Sequence, residues 1–133
     1  MLTTAILCLA ANMFFEARNE EHLGRLMVAE VTLNRVESSR HPDTVCEVVF
    51  ANRQFSWTQD RYSNNPETYT TYHDSLAWEE LSELAAHILS GEEPLPDNGA
   101  LFFHTNYIAS PTWVASMEVV GSVGSHIFYT YKE

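Results

Sequence analysis

Apolar residues recur at helical spacing in four stretches of the chain. The first, Thr3–Ala17, is apolar on almost every side, which is typical of a helix buried inside a protein. A second helix opens at an acidic pair and runs to about Glu37, because its apolar residues recur every three or four positions. A short helix is predicted at Thr44–Ala51, and a third long helix begins at a cap formed by Asp74 or Ser75. The chain is therefore predicted to be mostly helical.

The last third of the chain has a different pattern. Ala100–Thr105 and Ile127–Tyr131 are short, aromatic and β-branched, which predicts two strands, with a helical turn at Ser110–Met117 between them. Residues 52–73 are polar and aromatic without a clear period, and long irregular stretches in small domains are often functional. The predicted fold class is α+β, with one mostly helical domain over residues 1–133 and a small β-sheet.

The net charge of −11 narrows the classes of partner. A surface of this sign repels phosphate backbones and anionic lipids, so we expect neither nucleic-acid binding nor a stable membrane association. One compact acidic domain is expected to be a monomer. Cys8 and Cys46 both lie in apolar helical stretches, and two cysteines form no disulfide framework. Two buried free thiols are therefore expected, with a disulfide as the less favoured alternative.

The apolar start of the chain raises the question of a targeting segment. The first basic residue is Arg18, so the positively charged region that opens a signal peptide is missing. Met1–Phe15 is also shorter than the ~20 apolar residues that cross a membrane. We therefore expect a core helix, in a protein made in the cytoplasm without an export signal of its own.

Glu16 is the leading candidate for a catalytic acid. It lies at the end of the apolar first helix, where it shares a helical face with Leu9, Asn12 and Met13. Such neighbours exclude water from a carboxyl and raise its pKa, as a general acid working near neutral pH requires. The alternative is a solvated carboxylate at a helix end, or one paired with Arg18. The pattern alone leaves both open.

Two segments combine aromatic rings with short hydrogen-bonding side chains, a mixture suited to sugars. Rings pack on the C–H face of a sugar, while amides and hydroxyls bind its hydroxyl groups. The candidate substrate-binding residues are Gln54, Phe55, Ser56, Trp57, His104, Asn106, Tyr107, Trp113 and His126. Each aromatic residue fits a place in the core equally well. The histidines lack the spacing of a metal site, so neither a metal nor another cofactor is expected.

Short motifs extend over nearly the whole chain. They are Phe14-Phe15-Glu16-Ala17-Arg18, Gly24, Ala29, Val31, Asn34-Arg35-Val36, Cys46-Glu47-Val48-Val49-Phe50, Gln54-Phe55-Ser56-Trp57, Ala100-Leu101-Phe102-Phe103-His104, Trp113 and Gly124-Ser125-His126-Ile127-Phe128. In this order and approximate spacing they resemble the SleB/CwlJ-type cell wall hydrolases. The resemblance implies a lysozyme-like fold related to lytic transglycosylases, acting on spore cortex or other peptidoglycan. It also implies that the glutamate of the Glu-Ala-Arg motif, Glu16 here, is the catalytic one.

The resemblance leaves two routes of cleavage open. With one carboxyl, Glu16 protonates the glycosidic oxygen between N-acetylmuramic acid and N-acetylglucosamine, and the substrate's acetamide stabilises the resulting cation. Attack by water makes the protein a muramidase, whereas attack by the sugar's C6 hydroxyl gives the anhydro product of a lytic transglycosylase. If a second acid is required, the candidates are Glu47, Asp60 and Asp74, and their spacing selects none of them.

Two other functions are weighed against glycan cleavage. A zinc amidase that cleaves the muramoyl–alanine bond would need several histidines to converge, and His104 and His126 are the pair to watch. A sugar-binding module without activity would gain nothing from a buried, costly carboxyl at Glu16. A free-standing domain of this kind resembles a phage endolysin, which a holin lets through the inner membrane to reach the cell wall. A fragment of a larger enzyme is the alternative.

Overall fold

The structure, a computed structural model, describes residues 4–51 and 72–132. Its helices are α1 (Thr4–Ala17), α2 (His22–Glu37), α3 (Val45–Phe50) and α4 (Tyr72–Ser90). Its strands are β1 (Phe102–Thr105), β2 (Met117–Val123) and β3 (His126–Tyr131), and a 3-10 helix, Thr112–Ser116, lies between β1 and β2. The predicted α+β fold class is confirmed. No helix within the described ranges is long and apolar enough to cross a membrane.

α1 packs against α2, α3 and α4. Leu9, Met13 and Phe14 have no exposed surface, and burial of side chains of this size contributes roughly 1.5–3 kcal/mol each. The prediction that the apolar start of the chain forms a buried helix is confirmed. This packing fixes the position of the C-terminal end of α1, where Glu16 lies.

α2 is buried on more than one face. Val28 and Val31 have no exposed surface, and the charged residues Glu30 and Arg35 are only 1% and 3% exposed. Buried polar groups need partners inside the protein. Both charged side chains bind the segment of chain that leads into β1, so α2 also helps to place the sheet.

The side chain of Glu30 binds the backbone of the turn before β1. Its Oε1 accepts a hydrogen bond from the amide of Asp97 at 2.8 Å, and its Oε2 accepts from the amides of Asn98 at 2.9 Å and Gly99 at 3.1 Å. Asp97 and Gly99 have positive φ angles of 60° and 78°, a conformation that non-glycine residues rarely adopt. The buried carboxylate therefore compensates for a strained turn.

Glu30→Gln is expected to lower the free energy of unfolding by roughly 2–4 kcal/mol, because the NH2 group of glutamine leaves at least one backbone amide of the turn without its acceptor. Urea denaturation measures this loss. Glu37→Gln makes the same chemical change at an exposed position of the same helix and is expected to cost less than about 0.5 kcal/mol. Equal stability of the two variants would show that Glu30 does not hold the turn.

The starts of α3 and α4 differ in how well the sequence predicted them. α3 begins within one residue of its predicted start at Thr44. The Thr44 hydroxyl accepts a hydrogen bond from the backbone amide of Glu47 at 3.2 Å, so Thr44 is the N-cap of this helix. α4 begins at Tyr72, so the predicted cap at Asp74 or Ser75 is wrong. Both residues lie in the first turn, where polar and acidic side chains are also favourable.

The sheet contains one strand that the sequence did not reveal. The strand order is β1-β3-β2, all antiparallel, with β3 in the centre. β2 contains Gly121 and a bulge between Val119 and Gly121, which breaks the alternation that identifies a strand. The prediction of only two strands is therefore wrong. The hairpin of β2 and β3 turns at Gly124, whose φ is 57°.

Cys8 and Cys46 form a disulfide bond, so the expectation of two free thiols is wrong. The bond joins α1 to α3, and the Cα atoms lie 5.3 Å apart, within the normal range. Each cysteine lies on an apolar helix, as predicted. The pairing depends on how the two helices pack, which the spacing of 38 residues does not indicate.

Candidate active site

A cleft of about 340 Å³ lies where the C-terminal end of α1 meets the end of β1 and the turn between β2 and β3. It is lined by Phe15, Glu16, Ala17, Arg18, Asn19, Glu20, Thr105, Tyr107, Ser125 and His126. Three predicted site residues, Glu16, Tyr107 and His126, therefore meet in one cleft. The cleft also contains a second carboxylate, Glu20, which the sequence did not single out.

The carboxyl of Glu16 is the most perturbed acid in the described part of the chain. Burial raises its pKa from the usual 4.5 to about 7, and the charge of Arg35 opposes this rise. The Glu16 carboxyl accepts no hydrogen bond from the residues that the structure describes. Arg18, the partner in the alternative interpretation, instead places its guanidinium 4.9 Å from the centre of the Phe14 ring. The predicted rise in pKa is confirmed, and near pH 7 Glu16 can hold a proton and give it up.

Arg35 is the fixed positive charge that acts on Glu16. Its Nε donates to the carbonyl of Leu101 at 2.7 Å, and its guanidinium lies 4.9 Å from the centre of the Phe102 ring. Burial lowers its pKa to about 10, while the electrostatic interactions of Arg35 with Tyr131 and Glu16 act in the opposite direction. Arg35 is therefore still cationic at neutral pH, and it keeps the pKa of Glu16 from rising further.

Glu20 is held by the turn between β2 and β3. Its Oε1 accepts hydrogen bonds from the amide of Ser125 at 2.8 Å, the hydroxyl of Ser125 at 2.9 Å and Nδ1 of His126 at 3.0 Å. Burial acts to raise its pKa, but these hydrogen bonds and the electrostatic interaction with His126 together hold the pKa below its usual value. Glu20 is thus ionised at neutral pH, in the same cleft as Glu16.

The ring of His126 is buried beneath this carboxylate. Its side chain is 2% exposed and lies edge-on to Phe103, with ring centres 5.1 Å apart. Burial lowers the pKa of His126, although the charge and hydrogen bond of Glu20 oppose this, so the ring is neutral near pH 7. Because ionised Glu20 can only accept, we assign the proton to Nδ1. Nε2 is buried without a hydrogen-bond partner in the described ranges.

The remaining sugar-binding candidates in the described residues occupy two places. Tyr107 is 77% exposed at the cleft, and the amide of the neighbouring Asn106 donates to the carbonyl of Ser125 at 2.7 Å. His104 and Trp113 belong to an aromatic cluster, and both ring nitrogens of His104 are hydrogen-bonded, to the Thr105 carbonyl and the Tyr129 hydroxyl. Contact of substrate with any of the four is still a prediction.

Several predicted residues lie outside the described residues or away from the cleft. Gln54, Phe55, Ser56, Trp57 and Asp60, and the side chain of Asp74, lie outside them. Glu47 is exposed and accepts a hydrogen bond from the Thr44 hydroxyl at 2.8 Å; it does not line the cleft. In the part of the chain that the structure describes, no three histidine, cysteine, aspartate or glutamate side chains converge as metal ligands.

Comparison with known proteins gives consistent matches. Residues 19–129 match the family model described as Cell Wall Hydrolase, a range that begins just after Glu16. Spore cortex-lytic enzymes of Bacillus cereus and Oceanobacillus iheyensis are 29% and 28% identical to this chain over 120 and 124 residues, which is 90% of the chain in both cases. The matches cover 42% and 39% of those relatives, so the chain spans less than half of their length.

Two solved structures have the same fold. The catalytic domain of the germination-specific lytic transglycosylase SleB from Bacillus anthracis matches with a TM-score of 0.68 and 26% identity, covering 96% of each chain. The catalytic domain of the Bacillus cereus SleB protein matches with a TM-score of 0.65 and 26% identity, covering 98% of this chain and 93% of that one. The family resemblance and the lysozyme-like α+β fold expected from the motifs are confirmed.

Proposed function

Because the chain belongs to the cell wall hydrolase family, we propose that it cleaves the glycan strands of peptidoglycan, with Glu16 as the acid. The observation that carries this proposal is a carboxyl with a pKa of about 7 in a cleft large enough for part of a sugar strand. The bond cleaved is the one between N-acetylmuramic acid and N-acetylglucosamine. The similar Bacillus anthracis domain is described as a lytic transglycosylase, which favours the anhydro route for this chain.

The proposed reaction starts with protonated Glu16. It gives its proton to the glycosidic oxygen, the bond from the muramic C1 to that oxygen breaks, and the electron pair stays with the leaving sugar. The muramic ring then carries the positive charge, which its own acetamide stabilises. Glu16, now ionised, takes the proton of the C6 hydroxyl as that oxygen bonds to C1. Glu16 ends protonated, and the product is the 1,6-anhydro sugar.

Tyr107 is the proposed sugar platform in the described part of the cleft. Its ring is exposed beside the groups that would act on the glycosidic bond. Exposed aromatic rings supply rigid apolar area to sugars at a small cost in conformational entropy. Substrate contact by the other predicted residues, Asn106, Trp113, His104, His126, Gln54, Phe55, Ser56 and Trp57, is part of the same proposal, and the last four lie outside the described residues.

We place the site of action outside the cytoplasm, on the cell wall. The disulfide between Cys8 and Cys46 supports this proposal, because such bonds persist in oxidising compartments. An endolysin that a holin releases would reach that compartment. In the same proposal, residues 1–133 form a single domain and the protein is a monomer. Size-exclusion chromatography tests the monomeric state directly.

Digestion of purified peptidoglycan, followed by mass spectrometry of the released fragments, tests the proposed function. We expect glycan fragments with anhydro-muramic ends, in equal yield with and without a chelator. Reducing muramic ends would replace the anhydro route by water attack and identify a muramidase. Free stem peptides released in a chelator-sensitive reaction would identify an amidase and overturn the proposal. Binding without any release of fragments would identify a binding module.

A further inference from the structure

We propose that Glu20 is a second catalytic carboxylate, whose fixed negative charge stabilises the sugar cation formed when Glu16 gives up its proton. This inference rests on the proposed glycan cleavage. Both carboxyls line the same cleft, and the protein holds Glu20 with contacts that a solvated surface glutamate does not have. Three separate features of its surroundings support the assignment.

The first feature is a slot between Gly24 and Gly124 that holds the side chain of Glu20. A Cβ atom at Gly24 would lie 2.9 Å from Cβ of Glu20, and one at Gly124 would lie 2.6 Å from its Oε1. Real Cβ atoms essentially never approach so closely. Gly124 also has a φ of 57°, which disfavours other residues. Two glycines, distant in sequence, therefore leave room for one carboxylate.

The second feature is an uneven distribution of hydrogen bonds over the two oxygens. Oε1 accepts all three bonds, from the amide and hydroxyl of Ser125 and from His126. Oε2 accepts none from the described residues. A carboxylate that served only to attach the hairpin to the connection between α1 and α2 would be expected to use both oxygens, as Glu30 does. Oε2 is left for a group that enters the cleft.

The third feature is that the two carboxyls differ in their protonation state at neutral pH. Burial and Arg35 set the pKa of Glu16 near 7, whereas the hydrogen bonds keep Glu20 ionised. Two acids in one cleft whose surroundings push them apart in this way commonly divide the roles of proton donor and charge stabiliser. The buried, neutral ring of His126 can donate only through Nδ1, which fixes the orientation of Glu20.

In the reaction, Glu20 exchanges no proton and forms no bond. As the bond between C1 and the glycosidic oxygen breaks, positive charge grows on C1 and the ring oxygen of the muramic sugar. The negative charge of Glu20 lowers the energy of that state more than the energy of the neutral bound substrate, so it accelerates the step. The proton of the attacking hydroxyl still returns to Glu16.

The test compares Glu20→Gln with Glu21→Gln, which removes the same charge from the next residue, exposed and not among those lining the cleft. On soluble glycan fragments, Glu20→Gln is expected to reduce kcat by ~10²–10³-fold with KM changed by less than about threefold. Glu21→Gln is expected to leave both within about twofold of wild type. If Glu20 served only to hold the hairpin of β2 and β3 in place, Glu20→Gln would instead raise KM and lower the melting temperature.

A second variant keeps the inference testable if Glu20→Gln folds poorly. Glu20→Ala leaves the slot between Gly24 and Gly124 empty, and formate is expected to fill it and restore kcat at least about fivefold. A folded Glu20→Gln with wild-type kcat, or a Glu20→Ala variant whose kcat formate does not raise, overturns the inference. If wild type releases no glycan fragments, or if Glu16→Gln retains full activity, the proposed function fails instead.

Discussion

Glu16→Gln is expected to reduce the release of glycan fragments by about 10³-fold or more while leaving the protein folded. The amide has nearly the same shape as the carboxyl but has no proton to give to the glycosidic oxygen. General acid catalysis contributes typically about 10²–10⁴-fold, and here the same group also acts as the base that receives the proton of the attacking hydroxyl. Losing both roles at once places the expected effect in the upper part of that range.

The measurement is the rate at which new sugar ends appear, quantified by mass spectrometry at a fixed enzyme concentration. Glu21→Gln is the matched control, since it makes the same substitution at an exposed residue close in sequence. A melting curve for each variant establishes that both are folded. If the two variants had similar activity, Glu16 would not be the catalytic acid.

Removing the disulfide by replacing Cys8 and Cys46 with alanine is expected to lower the free energy of unfolding by about 4 kcal/mol. The bond closes a loop of 38 residues, so it restricts the unfolded chain, and it also anchors α1, which carries Glu16, to α3. A loss of this size is a large part of the stability of a domain this small. Activity at elevated temperature is expected to fall with it.

Urea denaturation with and without a reducing agent measures this contribution. Reductant is expected to lower the stability of the wild type to that of the double alanine variant and to leave the variant unchanged. If reductant had no effect on the wild type, the two cysteines would be unbonded in solution. If the loss were below about 1 kcal/mol, the disulfide would not be a main support of the packing of α1 against α3.

The sequence was most informative where a single segment determines its own structure. α1 was predicted from one long apolar run, and the short helix predicted at Thr44–Ala51 is observed as α3, with Thr44 as its N-cap. β2 was missed because Gly121 and the neighbouring bulge interrupt its pattern, and its pairing with β3 depends on a distant part of the chain. The start of α4 was placed too late because polar residues suit both a cap and a first turn.

The same distinction applies to the candidate site. Glu16 was singled out because the apolar residues of its own helix predict a buried carboxyl with a raised pKa, and that rise is confirmed. Glu20 was missed because its partners, Ser125 and His126, are 105 and 106 residues away, although it follows Glu16 by only four positions. The disulfide was missed for the same reason. A lone glutamate in the apolar run Val28–Val31 was the available signal for Glu30, whose partners lie 67 to 69 residues on.

The pH dependence of glycan cleavage, measured together with a carbon NMR titration of the Glu16 carboxyl, tests the central claim most directly. A general acid must be protonated, so we predict that kcat/KM on soluble glycan fragments declines as the pH rises through about 7, where the NMR signal of Glu16 also titrates. The folded-state pKa is raised, so the contribution of Glu16 to stability is present below its unfolded pKa of 4.5 and is lost as the pH rises through about 7. Coincidence of the two pKa values is the predicted result. Titration of Glu16 near 4.5, or cleavage that stays constant through pH 7, would contradict it.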